Sequence, residues 1–92
     1  MRERLYLSTI DPKAGDLARR YSLGVEIASF CTAQNMDDHL SETEKTLQTA
    51  LAGISRRVLH GPFNELFPCA IDPRARALAA ERYRQAVAMA ER

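Results

Sequence analysis

Tryptophan is absent from this chain of 92 residues, cysteine occurs twice, and glycine and proline occur four times each. Two cysteines do not make a disulfide framework, so a reducing, cytoplasmic setting is expected. So few glycines and prolines leave no linker or low-complexity tract. No apolar run approaches the roughly 20 residues that a bilayer span requires. The charged start Met1–Arg4 does not read as a signal peptide. Neither sign of charge dominates, with 13 basic against 12 acidic side chains and a net charge of +1. Without a global field to attract phosphates, neither a membrane nor a nucleic acid is an expected partner. What remains is an ordinary mixture, 46% hydrophobic and 27% charged, sufficient for one small domain.

The order of elements is legible in the periodicity. Leu5–Ile10 is a β-compatible run. Asp11-Pro12 follows as an N-cap with proline at the first helical position. Ala14, Leu17, Ala18 and Tyr21 then form one helical face, with Gly24 as its expected C-cap. Val25–Phe30 is a second strand, and Cys31–Met36 reads as a loop. Leu40, Leu47, Ala50, Leu51 and Ile54 keep helical spacing up to Gly53. Arg57–His60 is a third strand, beginning near Ile54 and ended by Gly61-Pro62. After an apolar loop over 63–71, Asp72-Pro73 repeats the helix start. Ala75, Leu78, Ala79, Tyr83, Ala86, Val87 and Ala90 mark the buried face of a last helix, and Arg74, Arg76, Glu81, Arg82 and Arg84 its wet side.

Strand and helix thus alternate three times, which predicts an α/β fold with parallel strands joined by right-handed crossovers. A spacing of roughly 30 residues per unit is that of a (β/α)8 barrel. The expected fold is a partial (β/α)8 TIM barrel of about three βα units, with residues 1–92 as the N-terminal portion of a single barrel domain. A doubly wound sheet is the rival, but no glycine-rich turn follows Ile10.

In such folds chemistry gathers at the carboxyl ends of the strands. His60 closes the third strand, where an imidazole can bind a metal, move a proton or hold substrate oxygens; a partly buried structural histidine is the equal alternative. Glu26 projects to the face opposite Val25 and Ile27, where it orients a ligand or pairs with an arginine. Asn64 and Glu65 follow His60 closely enough to reach the same mouth, although surface polarity explains them equally well. His39 beside Asp37 and Asp38 is not a metal site on this reading, because consecutive helix positions diverge. Cys31 and Cys69 lack any ligand spacing and read as small buried thiols. Arg19-Arg20 and Arg56-Arg57 read as solvated faces.

Leu-Tyr-Leu-Ser-Thr at positions 5–9, Gly-Val-Glu-Ile at 24–27 and His-Gly-Pro-Phe at 60–63 resemble the opening of xylose isomerase-like barrel proteins. These are the sugar phosphate isomerases and epimerases and the related endonuclease-IV-like enzymes. The resemblance implies a divalent-metal enzyme of carbohydrate metabolism, with Mn, Mg, Co or Zn in the complete enzyme and none assured for this chain. It implies proton transfer through an enediolate on a small sugar or sugar phosphate. His60 matches the third-strand histidine, a zinc ligand in the nuclease branch and nearer the substrate in many epimerases. Glu26 matches the second-strand glutamate. Glu26, His60, Asn64 and Glu65 are the expected substrate-binding residues, and His60 the one metal ligand; the other ligands and the catalytic carboxylates would come from later strands. These residues alone are therefore not expected to catalyse the reaction. The alternatives are a piece of an abasic-site nuclease, or a small oligomerising or binding module without catalysis. Open sheet edges make self-association an expectation in either case.

Overall fold

A computed structural model describes residues 2–92. After a single 3-10 turn at Arg2–Arg4, the order is β1 (Tyr6–Ser8), α1 (Ala14–Tyr21), β2 (Gly24–Ile27), α2 (Ala33–Asp37), α3 (Leu40–Ala50), β3 (Arg57–Leu59) and α4 (Pro73–Ala90). The strands form one parallel sheet in the order β1-β2-β3. Tyr6, Leu7 and Ser8 pair with Gly24, Val25 and Glu26, and Val25, Glu26 and Ile27 with Arg57, Val58 and Leu59. The chain is α/β, and each strand is followed by helix, as the alternating pattern predicts.

Side chains alternate across a strand, so the register assigns the two faces of the sheet. Leu7, Val25 and Ile27 point toward the helices. Val25 is sealed with Ala18, Leu51 and Ile54, and Leu7, Leu23, Ile27 and Leu47 pack around this core. Burying side chains of this size stabilises by about 1.5–3 kcal/mol each. The opposite face carries Tyr6, Ser8, Glu26 and Val58. Tyr6 and Val58 remain 40% and 41% exposed there. That face is open.

Local chemistry differs from the sequence expectation at several points. Asp11 does not cap α1. Its carboxylate accepts from the Lys13 amide at 2.9 Å in a turn, and α1 begins only at Ala14. Gly24 is not the C-cap either, because Ser22 takes the left-handed position at φ 56°. Gly24 instead starts β2, where a Cβ would lie 2.5 Å from the Tyr6 ring and 3.0 Å from the Arg56 carbonyl oxygen. The close packing of β1 on β2 thus depends on the missing side chain. The segment expected as a loop before Met36 contains α2. All three strands are shorter than their apolar runs.

Arginines expected to be solvated brace the backbone. Arg19 donates to the carbonyls of Ala50 and Ala52 at 2.8 and 3.1 Å, and Arg57 to those of Leu51 and Ile54 at 2.7 and 2.6 Å. Arg56 donates to Ser22 at 2.6 Å. The last carbonyls of a helix lack intrahelical donors and carry partial negative charge, so cations settle there. These contacts tie α1 and β3 to the end of α3.

Asp72 caps α4 as expected, accepting from the Arg74 amide at 2.8 Å with proline at the first turn. The buried face of α4 is narrower than its apolar stripe. Ala79 and Ala86 are buried, but Leu78, Tyr83 and Val87 are exposed. Arg82, expected on the wet side, turns inward to Asp37 at 2.8 Å and shares it with Gln85. Arg92 similarly reaches Glu44 of α3 at 2.8 Å. A cleft of about 400 Å³, lined by Ile27, Phe30, Leu47, Leu59 and Met89 among others, separates the end of α4 from α3 and β3. Two ion pairs thus join α4 to α2 and α3.

Candidate functional site

Glu26 and His60 meet on the open face. Glu26 is the register mate of Ser8 and Val58. His60 lies two positions beyond Val58 and therefore projects to the same side. Its amide donates to the Ile27 carbonyl at 2.9 Å, which extends the β2–β3 ladder to the strand end and fixes the ring's origin. The result places His60 Nδ1 at 3.6 Å from Glu26 Oε1, with each side chain 39% exposed. At this separation the two are an ion pair when the imidazole is protonated, and hydrogen-bonding contact requires a slightly closer approach. The Phe63 ring lies 5.1 Å from the imidazole at a tilt of 51° and limits its swing.

The neighbouring strand ends are held by polar side chains. Thr9 donates its amide to the Glu26 carbonyl at 2.9 Å, and its hydroxyl accepts from the Ala28 amide at 2.8 Å. Cys31 donates its thiol to the Ala28 carbonyl at 3.0 Å, and Asn35 its side-chain amide to the Ser29 carbonyl at 2.7 Å. Thr9 and Asn35 were not singled out from sequence as supports. Hydroxyl and amide side chains just past strand ends are the signal, since they compete well for unpaired backbone groups.

Asn64 and Glu65 stand apart from this pair. Both are exposed and line a smaller cleft of about 240 Å³ with Cys31, Thr32, Pro62 and Arg82, in which neither Glu26 nor His60 takes part. Glu65 adopts φ 66°, a left-handed conformation that is uncommon for a residue with a Cβ. His39 and Asp38 are exposed, and Asp37 is engaged by Arg82. The guanidinium, followed by the Gln85 amide, holds the Asp37 carboxyl below its ordinary range.

Among the described residues, no three His, Cys, Asp or Glu side chains converge to hold a metal ion. Glu26 and His60 offer two donors, one fewer than the three protein ligands of an open catalytic zinc site. The divalent metal that the resemblance implies does not fit this donor set by itself. What the pair can do unaided is bind hydroxyl groups. A carboxylate accepts from them, and the exposed imidazole donates or accepts according to its tautomer.

No helix among the described residues is long and apolar enough to cross a membrane. No protein-family model, curated protein or solved structure matches the chain.

Proposed function

We propose that this chain supplies the Glu26–His60 portion of a sugar-binding site in a divalent-metal-dependent sugar or sugar phosphate isomerase or epimerase of the (β/α)8 class. The observation that carries the reading is the meeting of a carboxylate and an imidazole at 3.6 Å, on the open sheet face at the carboxyl ends of parallel strands. That is where barrel enzymes place their chemistry. Glu26 accepts hydrogen bonds from vicinal hydroxyls, and His60 holds an adjacent oxygen. Proton transfer and metal ligation require carboxylates and imidazoles on further strand–helix units, because these residues provide only two donors.

Saturation-transfer NMR tests the reading. The chain is mixed in turn with ketoses, ketose phosphates and an oligonucleotide containing an abasic site. Saturation of the sugar ring protons, lost in His60→Ala, is expected. Saturation of the oligonucleotide alone would transfer the assignment to the nuclease branch, and no saturation of either would remove the site.

A second reading, an oligomerising module without catalysis, is favoured by one specific feature. The Cα radius of gyration is 14.6 Å, against about 12.3 Å for a compact domain of this length. The chain is open in a way that a partner surface would close.

A further inference from the structure

We propose that the outer edge of β3, together with the adjoining flank of α4, docks the β1 edge of a second copy of this chain. The inference rests on the second reading, in which a partner surface and not a further strand–helix unit covers these edges, and it does not depend on the chemistry assigned to Glu26 and His60. Just past β3 the amide of His60 points at β2, where it meets the Ile27 carbonyl. Hydrogen bonds in a parallel ladder alternate in direction along each strand, so the Arg57 and Leu59 amides face the free edge. Just past β1 the Thr9 amide points at β2, and the Tyr6 and Ser8 amides face outward by the same rule. Each chain therefore carries two bare edges of the same parallel sense.

Exposed apolar side chains lie beside both edges. One flank of α4 faces α2 and α3 through Arg82 to Asp37 and Arg92 to Glu44. Tyr83 and Val87 lie on the other flank, with Val87 60% exposed. Along the β1 edge Leu5 is 46% exposed. Parallel strands are ordinarily buried on both faces and flanked on both sides, so these surfaces are incomplete as they stand. Set against β3, the β1 of a second copy would continue the sheet beneath the apolar flank of α4. It would also bring its carboxyl end beside His60.

The area supports a second copy. The chain exposes 6642 Å², whereas a compact protein of 10.3 kDa exposes about 5,350 Å². Shared between two edges in a head-to-tail arrangement, an excess of about 1,300 Å² per chain would let each interface bury about 1,300 Å² in total. That lies within the range of about 1,200–2,000 Å² for stable interfaces. A net charge of +1 offers little repulsion between copies. Such contacts are heterologous, and they build rings or filaments according to whether the rotation closes.

Sedimentation velocity on the full chain and two edge variants tests the proposal. Val87→Glu spoils the α4 flank and leaves β1 intact; Leu5→Glu does the reverse. Wild type should sediment as concentration-dependent multiples of 10.3 kDa, and each variant alone as a monomer. An equimolar mixture should recover a one-to-one dimer, because one good edge of each kind remains. Circular dichroism monitors folding, and Val87→Lys with Leu5→Lys replaces any variant that loses its helix signal. A monomeric wild type, self-association of either variant, or a mixture that stays monomeric would each overturn the proposal. Self-association of a single variant would indicate like-with-like pairing of edges.

Discussion

Nη1 of Arg82 donates to both carboxylate oxygens of Asp37 at 2.8 Å, joining the middle of α4 to the end of α2. The arginine side chain is only 18% exposed and also donates to Gln85 at 2.8 Å. Because α4 buries little beyond Ala79 and Ala86, this contact has an outsized share in docking the helix. Arg82→Ala should lower the thermal midpoint by several degrees while leaving β2 and β3 amides protected in hydrogen exchange. An unchanged midpoint would mean that apolar packing alone holds α4.

The same pair predicts an acid dependence. The guanidinium depresses the folded-state carboxyl of Asp37 below its ordinary range. Its contribution is therefore fully present above the unfolded carboxyl's ordinary pKa, and is lost as pH falls through the depressed folded value. Denaturation of wild type and Asp37→Asn should differ by a constant amount near neutrality, and the two should converge in the acid range below that ordinary value. Convergence toward alkaline pH would contradict the assignment.

Gly15 sits inside α1, where alanine would ordinarily be better by about 1 kcal/mol. A Cβ at this position would collide with the Ala50 carbonyl oxygen, the same oxygen that accepts from Arg19. Overpacking typically costs about 1–3 kcal/mol, so the collision outweighs the propensity gain. Gly15→Ala should shift the urea midpoint downward. An upward shift would show that α1 and α3 can separate freely.

Asp11-Pro12 and Asp72-Pro73 look alike in sequence and behave differently in the fold. Asp72 caps α4, so Asp72→Ala should cost about 1 kcal/mol in chemical denaturation. Asp11 only closes a turn onto Lys13, so Asp11→Ala should cost less. Equal costs would indicate that both serve as helix caps.

That contrast shows where sequence reading succeeds and where it stops. The strand–helix order follows from period-two and helical alternation, which are short-range regularities, whereas the meeting of Glu26 with His60 depends on the parallel register of β2 and β3; the sequence alone leaves Glu26 to a ligand or an arginine. α1 starts later than its Asp-Pro signature predicts, because a cap signature does not report where the chain must turn to reach its sheet. The position of Gly24 in the sequence does not disclose its role, which lies in the approach of the Tyr6 ring, a contact made across strands. Helical periodicity places Arg82 in solvent because it says nothing of an aspartate on a distant helix. Leu78, Tyr83 and Val87 have the spacing of a buried face, and the fold leaves them without a partner surface.

The claim that Glu26 and His60 act together on a sugar is tested most directly at the imidazole. The chain has two histidines, so His39, exposed and remote in role, serves as an internal reference. Nitrogen-15 NMR of both rings should be followed while a ketose or ketose phosphate is added. The account predicts a saturable shift confined to His60 and abolished in Glu26→Gln. An unmoved His60, an equal drift of both histidines, or the same shift in Glu26→Gln would contradict it.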